Sequence, residues 1–298
     1  MAVPPPAPGV QWATLAVDGR AQTLEYAWLL PRPQVGRASA SSAGTASAGA
    51  GAPLIVFLHE GLGSLAHWRA VPQRVCDATG ARGLVYSRPG YGRSTPRAPD
   101  ETWPVDFLHR QAQQVLPALL KALGVDAQRQ PLWLFGHSDG GSIALLYAAW
   151  APPALAPAGV VVLAPHICVE DCTRQQVLRA RQAYEQGDLR ARLAPFHDNP
   201  DSAFWGWNRT WLLPAFQSWS IEAELGRIRC PVLAIQGEGD EYATLAQIEG
   251  IARHHPDTTL LALPGCGHWP HTQAGAQVLQ AVADFMDRPG PVPMRPAR

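Results

Sequence analysis

Short apolar segments alternate with longer segments of helical periodicity along most of this chain, and this alternation restricts the possible folds more than any other feature. The apolar segments are bounded by Gly or Pro and span residues 53–59, 83–87, 131–135, 159–164, 231–236 and 258–263. Segments with helical spacing span residues 71–79, 105–123, 141–150, 245–254 and 272–286. Strands that are apolar on both faces and alternate with helices are typical of a parallel sheet covered on both sides. The sequence therefore predicts an α/β fold with a mostly parallel central sheet.

The start of the chain departs from this alternation. Residues 11–18 and 22–30 are strand-like and are joined around Asp18-Gly19, a dipeptide that favours a tight hairpin turn. We therefore expect an antiparallel edge on the sheet. Residues 37–52 are almost wholly Ala, Ser and Gly. This composition is typical of a flexible surface loop, and it does not resemble a catalytic glycine loop.

A second departure lies between the apolar segments at 159–164 and 231–236. Residues 168–227 are rich in Arg, Gln and Trp, and they fit a helical insertion over the carboxyl edge of the sheet. We therefore expect one core domain, formed by residues 1–167 and 228–298, that carries a helical cap at 168–227. One α/β domain with an insertion suits a chain of 298 residues.

Charge and composition exclude several classes of protein. The chain has 24 basic and 24 acidic residues, and the basic residues form no run, which argues against a nucleic-acid partner. No stretch of about 18 uncharged apolar residues predicts a membrane span, and residues 1–10 lack the pattern of a secretory signal. The five cysteines are scattered and odd in number, which favours reduced thiols. We therefore expect a cytoplasmic protein.

The segment Gly136-His137-Ser138-Asp139-Gly140 follows one apolar strand and opens a helical segment. A serine at such a corner between a strand and a helix adopts a strained backbone that points its hydroxyl outward, and glycines two residues before and after leave room for the bend. Because a serine hydroxyl is a weak nucleophile at neutral pH, it needs a base and a group that orients the base. Ser138 is therefore the candidate nucleophile.

Candidates for the base and its partner follow the last two predicted strands. Asp240 lies in the turn after residues 231–236, and His268 lies in the short loop Gly265-Cys266-Gly267-His268 after residues 258–263. The order serine, acid, histidine is the one that this architecture requires. His271 is a rival for the role of base. The rivals of Asp240 are Glu238 and Glu241.

Together, these motifs resemble those of the α/β-hydrolase superfamily, and specifically its capped, esterase-like serine hydrolase branch. Besides the Ser138 corner and the two loops, the resemblance rests on residues 58–61 (Leu-His-Glu-Gly) and 87–94 (Ser-Arg-Pro-Gly-Tyr-Gly-Arg-Ser). It covers nearly all of residues 53–287. The resemblance implies that Ser138 is the nucleophile, His268 the general base and Asp240 the orienting acid.

The resemblance also implies an oxyanion hole made by the backbone N–H groups of Asp139 and Gly61, with Leu62 as the second choice for the latter. Such preorganised donors stabilise the negative charge that grows on the carbonyl oxygen during attack. A glycine lets its amide approach that oxygen without a side chain in the way. The carboxylate of Asp139 should face away from the oxyanion. Leu62 and Trp269 are the predicted substrate-binding residues.

Two residues depart from the family pattern. Glu60 stands where the family usually has glycine, beside the oxyanion site, where its charge would oppose catalysis unless neutralised. We therefore expect Glu60 to be turned away or paired with a cation, with Arg88 as the first candidate. Ser87 stands where related sequences usually have Asp, which affects the choice of subfamily and leaves the triad intact.

The remaining histidines and cysteines have simpler interpretations. His166, Cys168 and Cys172 are closely spaced, but a zinc site needs a fourth ligand and none is evident, so no metal is predicted. His59 and His137 are interpreted as structural. The side chains of three further histidines should be solvated, namely His254, His255 and His271.

Aromatic residues are concentrated in the insertion, namely Phe204, Trp205, Trp207, Trp211, Phe216 and Trp219. We expect most of them to pack the cap onto the core and some to line an apolar or aromatic pocket. The sequence thus predicts a serine hydrolase without a cofactor that cleaves an ester-like bond in a small apolar or aromatic molecule. Thioester, lactone and carbon-carbon bonds are alternatives with the same triad, and a ligand-binding sensor or degenerate hydrolase is an alternative without turnover.

Overall fold

A computed structural model describes residues 9–32 and 51–288 of the protein, and a single eight-stranded sheet organises this part of the chain. The strands are β1 Val10–Val17, β2 Arg20–Leu29, β3 Leu54–Leu58, β4 Arg82–Tyr86, β5 Leu132–His137, β6 Gly159–Leu163, β7 Val232–Gly237 and β8 Thr258–Leu263. Their order in the sheet is β1-β2-β4-β3-β5-β6-β7-β8.

The sheet is parallel from β4 to β8 and antiparallel at one edge. β1 pairs with β2, and β2 pairs with β4, in antiparallel register, and every other neighbouring pair is parallel. At the hairpin between β1 and β2, Asp18 and Gly19 both have positive φ angles, of 50° and 73°, as a tight turn of this kind requires. The α/β fold with an antiparallel edge that the sequence predicts is confirmed.

Helices cover both faces of the sheet. They are α1 Val71–Thr79, α2 Phe107–Arg110, α3 Leu116–Ala122, α4 Asp139–Trp150, α5 Asp171–Glu185, α6 Leu189–Leu193, α7 Pro200–Trp211, α8 Glu222–Leu225, α9 Ala246–His254, α10 Pro270–Gln273 and α11 Gly275–Met286. Alternate residues of β3 enter separate cores, with Val56 packing in the cluster of α3 and α4 and Phe57 in that of α1 and α11. Both faces of the central strands are therefore buried, which explains their continuously apolar sequences.

The helical segment predicted at 105–123 is divided in the structure. A π-helical turn, Gln111–Val115, separates α2 from α3. Pro117 lies in the first turn of α3 and has no N–H to donate to the carbonyl four residues earlier, so the helix changes its register there. The segment predicted at 272–286 is likewise divided, into α10 and α11.

Four helices, α5 to α8, lie between β6 and β7, and we call residues 168–227 the inserted segment. Its ends meet, because Cys168 forms an antiparallel bridge with Ser220 and the Ile221 N–H donates to the Ile167 carbonyl at 2.7 Å. Of the loop predicted at 37–52, residues 37–50 lie outside the described residues. No helix in residues 9–32 and 51–288 has both the length and the apolar character required to cross a lipid bilayer.

Candidate active site

Ser138 occupies the corner between β5 and α4 in a strained conformation. Its φ of 53° and ψ of −119° lie in a region of backbone conformation that residues other than glycine rarely adopt. A Cβ atom at Gly136 would collide with the carbonyl of Gly140, and one at Gly140 would collide with the carbonyl of Leu58 in β3. Both glycines are thus required for the bend, as the sequence predicts, and the corner places Ser138 at the carboxyl edge of the sheet.

His268 and Asp240 meet Ser138 at this edge. The His268 Nε2 lies 3.1 Å from the Ser138 Oγ, and the His268 Nδ1 lies 2.9 Å from each carboxylate oxygen of Asp240. His268 is 4% exposed and Ser138 is 7% exposed, so the contacts are shielded from water. The structure therefore brings together the three side chains that the sequence analysis singled out, from loops after β5, β7 and β8.

Asp240 is held as a carboxylate. Burial alone would favour its neutral form, but the hydrogen bond and charge of His268, together with the N–H of Tyr242 at 2.8 Å, keep its pKa below the usual value. The Gln236 Nε2 also donates to Asp240, at 3.2 Å. The Asp240 side chain is therefore fixed in position and in charge.

The rival candidates do not join this group. Within the described residues, neither Glu238 nor Glu241 makes a hydrogen bond with His268, and His271 makes none with Ser138. The ring of His271 instead packs against the rings of Trp68 and His137, at centroid distances of 5.3 and 4.6 Å. Burial lowers the pKa of His271 to about 3, so this ring is neutral.

The expectation that His255 and His271 are solvated is wrong. His255 is 8% exposed, and its Nε2 donates to the Cys230 carbonyl at 2.9 Å. His271 is half-buried among the aromatic rings described above. His254 is exposed, as expected.

A cavity of about 590 Å³ opens above Ser138. Ser138, Asp139, Gly61 and His268 line its floor, and the predicted substrate-binding residues Leu62 and Trp269 line it as well. Its other apolar walls come largely from the inserted segment, including Val177, Ala180, Leu189, Leu193, Phe196 and Trp207. The cavity can therefore accommodate an apolar molecule directly above the Ser138 hydroxyl.

Three backbone amides at the floor of this cavity are available to a ligand. The N–H groups of Gly61, Leu62 and Asp139 donate to no acceptor in the part of the chain that the structure describes. Asp139 is the first residue of α4, so its amide lies at the positive end of the helix dipole. At Gly61, a Cβ atom would collide with the indole ring of Trp207. Only glycine fits between this ring and the floor of the cavity.

Glu60 is paired, but its partner differs from the expected one. Its carboxylate lies 2.8 Å from the Nδ1 of His67 and 3.7 Å from the Nδ1 of His137, and not against Arg88. Burial would raise the pKa of Glu60, but these two histidines more than offset this and hold it well below the usual value. The expectation of Arg88 as the cation is wrong, because its guanidinium reaches the backbone carbonyl of Glu60 instead, at 2.9 Å.

Arg88 pairs with Asp139. The Nη2 of Arg88 lies 3.4 Å from the Asp139 Oδ2, and the Trp211 Nε1 donates to the Asp139 Oδ1 at 3.2 Å. Both members of the ion pair are buried. The two partners hold the carboxylate of Asp139.

His59 and His137 have the structural positions that the sequence suggests. The Nδ1 of His59 donates to the Glu60 carbonyl at 2.8 Å, and its Nε2 accepts the Arg88 N–H at 3.1 Å. The Nε2 of His137 donates to the His268 carbonyl at 2.7 Å. Each ring therefore connects the end of a strand to a loop of the site.

Sequence reasoning missed several residues around Ser138. The centroid of the His166 ring lies 5.9 Å from that of His268, and the centroid of the Tyr242 ring lies 4.6 Å from that of His268. Burial lowers the pKa of His166 to about 3, so it places no positive charge beside His268. Trp207 and Trp211 also line the cavity, and both belong to the aromatic set of which the sequence predicts that some line a pocket. The available signal was that His166 lies three residues after the end of β6, whose carboxyl end lies at the same edge of the sheet.

His166, Cys168 and Cys172, which are close in sequence, belong to separate contacts. Ser142 bonds to the backbone of His166, and Cys168 contacts Gln247. Within residues 9–32 and 51–288, no group of three or more His, Cys, Asp or Glu side chains is arranged to hold a metal ion.

Known proteins resemble this chain in sequence and in structure. The curated relatives include the mouse (Mus musculus) sn-1-specific diacylglycerol lipase ABHD11, which is 25% identical over 259 residues, 78% of this chain and 81% of the relative. The putative carbamate hydrolase RutD of Pseudomonas savastanoi pv. phaseolicola is 28% identical over 80% of this chain and 95% of the relative. The crystal structure of the enol-lactonase from Burkholderia xenovorans LB400 superimposes with a TM-score of 0.66 at 20% identity, covering 93% of this chain and 100% of that one.

The sequence also matches a protein-family model directly. Residues 55–281 match the model described as the Alpha/beta hydrolase family. This range extends from β3 to α11 and includes Ser138, Asp240 and His268. The chain therefore belongs to the α/β hydrolase family.

Proposed function

We propose that this protein is a serine hydrolase that cleaves a carboxylic ester-like bond of a small apolar or aromatic substrate through an acyl-enzyme. The observation that carries this proposal is the position of the His268 ring. One of its nitrogens is 3.1 Å from the Ser138 Oγ, and the other is 2.9 Å from both oxygens of Asp240. This is the geometry that a serine nucleophile, its base and an orienting acid require.

In the proposed acylation step, the Ser138 Oγ attacks the substrate carbonyl carbon, and the His268 Nε2 accepts the hydroxyl proton. Asp240 accepts the Nδ1–H of His268, which fixes the tautomer, and stabilises the imidazolium that forms. The tetrahedral intermediate then collapses, and His268 gives the proton to the departing alcohol oxygen. In deacylation, His268 takes a proton from water as the water oxygen attacks the acyl carbon. The second tetrahedral intermediate then collapses, the bond to the Ser138 Oγ breaks, and His268 returns the proton to this oxygen as the acid leaves.

The oxyanion of each tetrahedral intermediate is assigned to the amides of Gly61 and Asp139. Both residues line the cavity next to Ser138, and neither amide has a protein acceptor within the described residues. The Leu62 amide has the same properties and stays the second choice. Loss of one such donor typically lowers kcat by about 10² to 10³.

The cavity supports an apolar or aromatic acyl group as the preferred substrate part. The inserted segment supplies most of its apolar walls, and we propose that this segment acts as the cap over the site. Burial of apolar substrate area there provides binding energy of about 25 cal/mol per Å². The names of the relatives include a lipase, a carbamate hydrolase and a lactonase, and acyl transfer to a serine can cleave each of these bonds.

A fluorophosphonate probe and p-nitrophenyl butyrate test the proposal. The wild-type protein is expected to be labelled by the probe and to hydrolyse the ester, and Ser138→Ala should abolish both activities. Ser142→Ala is a matched control and should keep both activities, because Ser142 is a buried serine of α4, one turn after Ser138, and its hydroxyl donates to the His166 carbonyl at 2.6 Å. A wild-type protein that binds apolar ligands but is neither labelled nor active would instead favour a ligand-binding sensor.

The bond that is cleaved is then identified with matched substrates. Ester, thioester and lactone substrates with the same acyl chain are compared by kcat/KM. The proposal predicts the highest value for the ester. If kcat/KM is higher for the thioester or the lactone, the mechanism at Ser138 still holds, but the substrate is of that class and not a carboxylic ester.

A further inference from the structure

Arg88 is a fully buried cation in contact with residues that carry or adjoin the proposed oxyanion hole. It follows β4, and its relative exposure is 0%. Its guanidinium has two partners, the backbone carbonyl of Glu60 and the carboxylate of Asp139. The residues whose amides form the proposed hole are Gly61 and Asp139, so Arg88 contacts the structural supports of both donors.

The first support is the peptide between Glu60 and Gly61. The Glu60 carbonyl accepts hydrogen bonds from the Arg88 Nη2 at 2.9 Å, from the His59 Nδ1 at 2.8 Å and from the Gly63 N–H at 3.1 Å. In a trans peptide, the N–H points opposite to the carbonyl. Donors that fix this carbonyl therefore also fix the direction of the Gly61 N–H. A cation that polarises the carbonyl makes the same N–H a stronger donor.

The second support is the Asp139 side chain at the start of α4. Its Oδ2 lies 3.4 Å from Arg88, and its Oδ1 accepts from Trp211 of the inserted segment at 3.2 Å. Burial raises the pKa of Asp139, and the charge of Arg88 opposes this shift. The ion pair holds the Asp139 carboxylate against Arg88. The backbone amide of Asp139 is then the polar group of this residue that lies beside Ser138.

The surroundings of Arg88 are poorly suited to a purely structural arginine. The guanidinium lies over the ring of Tyr91, 4.5 Å from its centroid. Its Nε and Nη1 find no acceptor in residues 9–32 and 51–288. Burying a cation with unused donors costs stability, because each unsatisfied buried donor loses its hydrogen bonds to water. Such a residue is easier to explain by a role in the site than by a role in folding.

We propose that Arg88 is the positioning residue of the oxyanion hole, aligning the Gly61 and Asp139 donors through the Glu60 carbonyl and the Asp139 carboxylate. This inference rests on the proposed function, because it takes Ser138 as the nucleophile and these two amides as the donors. Arg88 then acts by aligning the two donors that stabilise the negative charge of the transition state. Substrate binding in the ground state should therefore depend little on it.

The first test compares Arg88→Met with Arg88→Lys. Met keeps an unbranched apolar stem without charge or donors, whereas Lys keeps the charge on a single donor nitrogen. We expect Arg88→Met to lower kcat for p-nitrophenyl butyrate by about 10- to 100-fold, less than the full loss of one donor, because His59 and Gly63 still hold the Glu60 carbonyl. KM should change by less than about threefold. Arg88→Lys should recover part of the loss in kcat.

Arg97→Met is the matched control. Arg97 is another buried arginine, 7% exposed, and its guanidinium donates to the carbonyls of Ala98, Pro99, Glu101 and Ser202. It does not line the cavity above Ser138. Arg97→Met should therefore lower the melting temperature, while kcat per folded molecule stays within about twofold of the wild type.

A transition-state analogue separates positioning from general disorder of the site. With n-propyl trifluoromethyl ketone, the Ser138 Oγ adds to the ketone carbon and leaves the negative charge on the ketone oxygen. We expect the inhibition constant of this ketone to rise in Arg88→Met by the same factor by which kcat/KM falls. The inhibition constant of the neutral alcohol 2-pentanol should stay within about threefold, because this molecule places no charge in the hole.

The outcomes distinguish this inference from the proposed function. An unlabelled, inactive wild type removes the proposed function and the inference with it. An active wild type with a folded Arg88→Met whose kcat is within threefold of normal, or whose affinities for the ketone and the alcohol fall equally, overturns the inference alone. If Arg88→Met does not fold, Asp139→Asn replaces it, because it keeps the backbone amide and removes the ion pair. A three- to tenfold loss in kcat and in ketone affinity supports the inference, and unchanged values contradict it.

Discussion

Two largely buried carboxylates with histidine partners lie near the carboxyl edge of the sheet, and their differences are informative. Asp240 lies 2.9 Å from His268, and Glu60 lies 2.8 Å from His67. In both carboxyl groups, the contacts with histidine outweigh burial, so the pKa lies below its usual value. By distance and charge alone, either pair could be taken for the acid and base of a triad.

The second nitrogen of each ring separates the two pairs. The Nε2 of His268 faces the Ser138 hydroxyl at 3.1 Å, whereas the ring of His67 packs on Phe196 at a centroid distance of 4.6 Å. A carboxylate and a histidine can activate a nucleophile only when the remaining ring nitrogen reaches it. Glu60 therefore has the geometry of a support for the loop that carries Gly61, and Asp240 has that of the orienting acid.

The largest expected effect is that of Asp240→Asn. The amide can hold the His268 ring, but it removes the charge and favours the wrong tautomer, so kcat should fall by about 10³ to 10⁴. The change preserves shape, and the melting temperature should fall by only a few degrees. Steady-state hydrolysis of p-nitrophenyl butyrate, together with thermal unfolding, measures both quantities.

Glu238→Gln is the control for this variant. Glu238 is exposed and lies two residues before Asp240 in the same turn. Neutralising it removes the same charge from the chain without touching His268, so kcat should stay within about twofold. Equal losses in the two variants would mean that the general charge of the turn matters, and the assignment of Asp240 as the orienting acid would then be wrong.

The sequence predicts the pair of Asp240 and His268 but not the pair of Glu60 and His67, and the reason is physical. Ser138, Asp240 and His268 each follow a parallel strand, and the carboxyl ends of parallel strands meet at one edge, so their proximity follows from the strand order. β8, at the edge of the sheet, is only partly buried, although the sequence predicts a buried strand there. Glu60 also follows a strand, but its partner His67 lies in the irregular segment between β3 and α1. No periodicity predicts the direction of a side chain in such a loop, and the expected partner Arg88 was therefore wrong.

The same limit applies to the fold. The strands, the antiparallel edge and most helices follow from apolar runs and Gly or Pro boundaries. The π-helical turn at Gln111–Val115 does not, because it depends on how the register shifts around Pro117. The aromatic residues of the inserted segment indicated burial, but which of them line the cavity, as Trp207 and Trp211 do, is decided by tertiary packing.

The second prediction concerns Glu60→Gln, which should affect stability more than catalysis. Removing one partner of a partly buried ion pair leaves His67 and His137 without their carboxylate, and we expect a loss of about 1 to 2 kcal/mol in the free energy of unfolding at pH 7. We expect kcat to fall by less than about tenfold, because the Glu60 backbone that supports Gly61 is retained. Urea unfolding and ester hydrolysis measure the two effects.

The difference in the free energy of unfolding between the wild type and Glu60→Gln should depend on pH, because the pKa of Glu60 is lowered in the folded state. A carboxyl group with a lower pKa in the folded state contributes stability above its unfolded pKa of about 4.3 and loses this contribution as the pH falls through the folded value. The wild type should therefore lose its advantage over Glu60→Gln in acid, below about pH 4. An advantage that persists undiminished at pH 2.5 would rule out an ionised Glu60 as its source.

The smallest expected effect is that of His67→Gln, and it has the opposite pH dependence. Burial would lower the pKa of His67, but Glu60 raises it above the usual value of about 6.5. A group with a raised pKa contributes stability below its unfolded pKa and loses this contribution as the pH rises through the folded value. We expect wild type to exceed His67→Gln by about 1 kcal/mol at pH 5.5 and by almost nothing at pH 9.

Urea unfolding at pH 5.5, 7 and 9 measures this difference, and His254→Gln serves as the control. His254 is exposed and lies 3.7 Å from Glu222, so its ion pair is screened by water and should contribute little at any of these pH values. At pH 9 the His67 ring is neutral in the wild type, so replacing it with Gln removes no charge from beside Glu60. The contact between Asp240 and His268 is unchanged in this variant. The wild type and His67→Gln should therefore have the same kcat at pH 9. A large fall of kcat in His67→Gln at that pH would place the Glu60 pair in the catalytic machinery and remove the distinction between the two carboxylates.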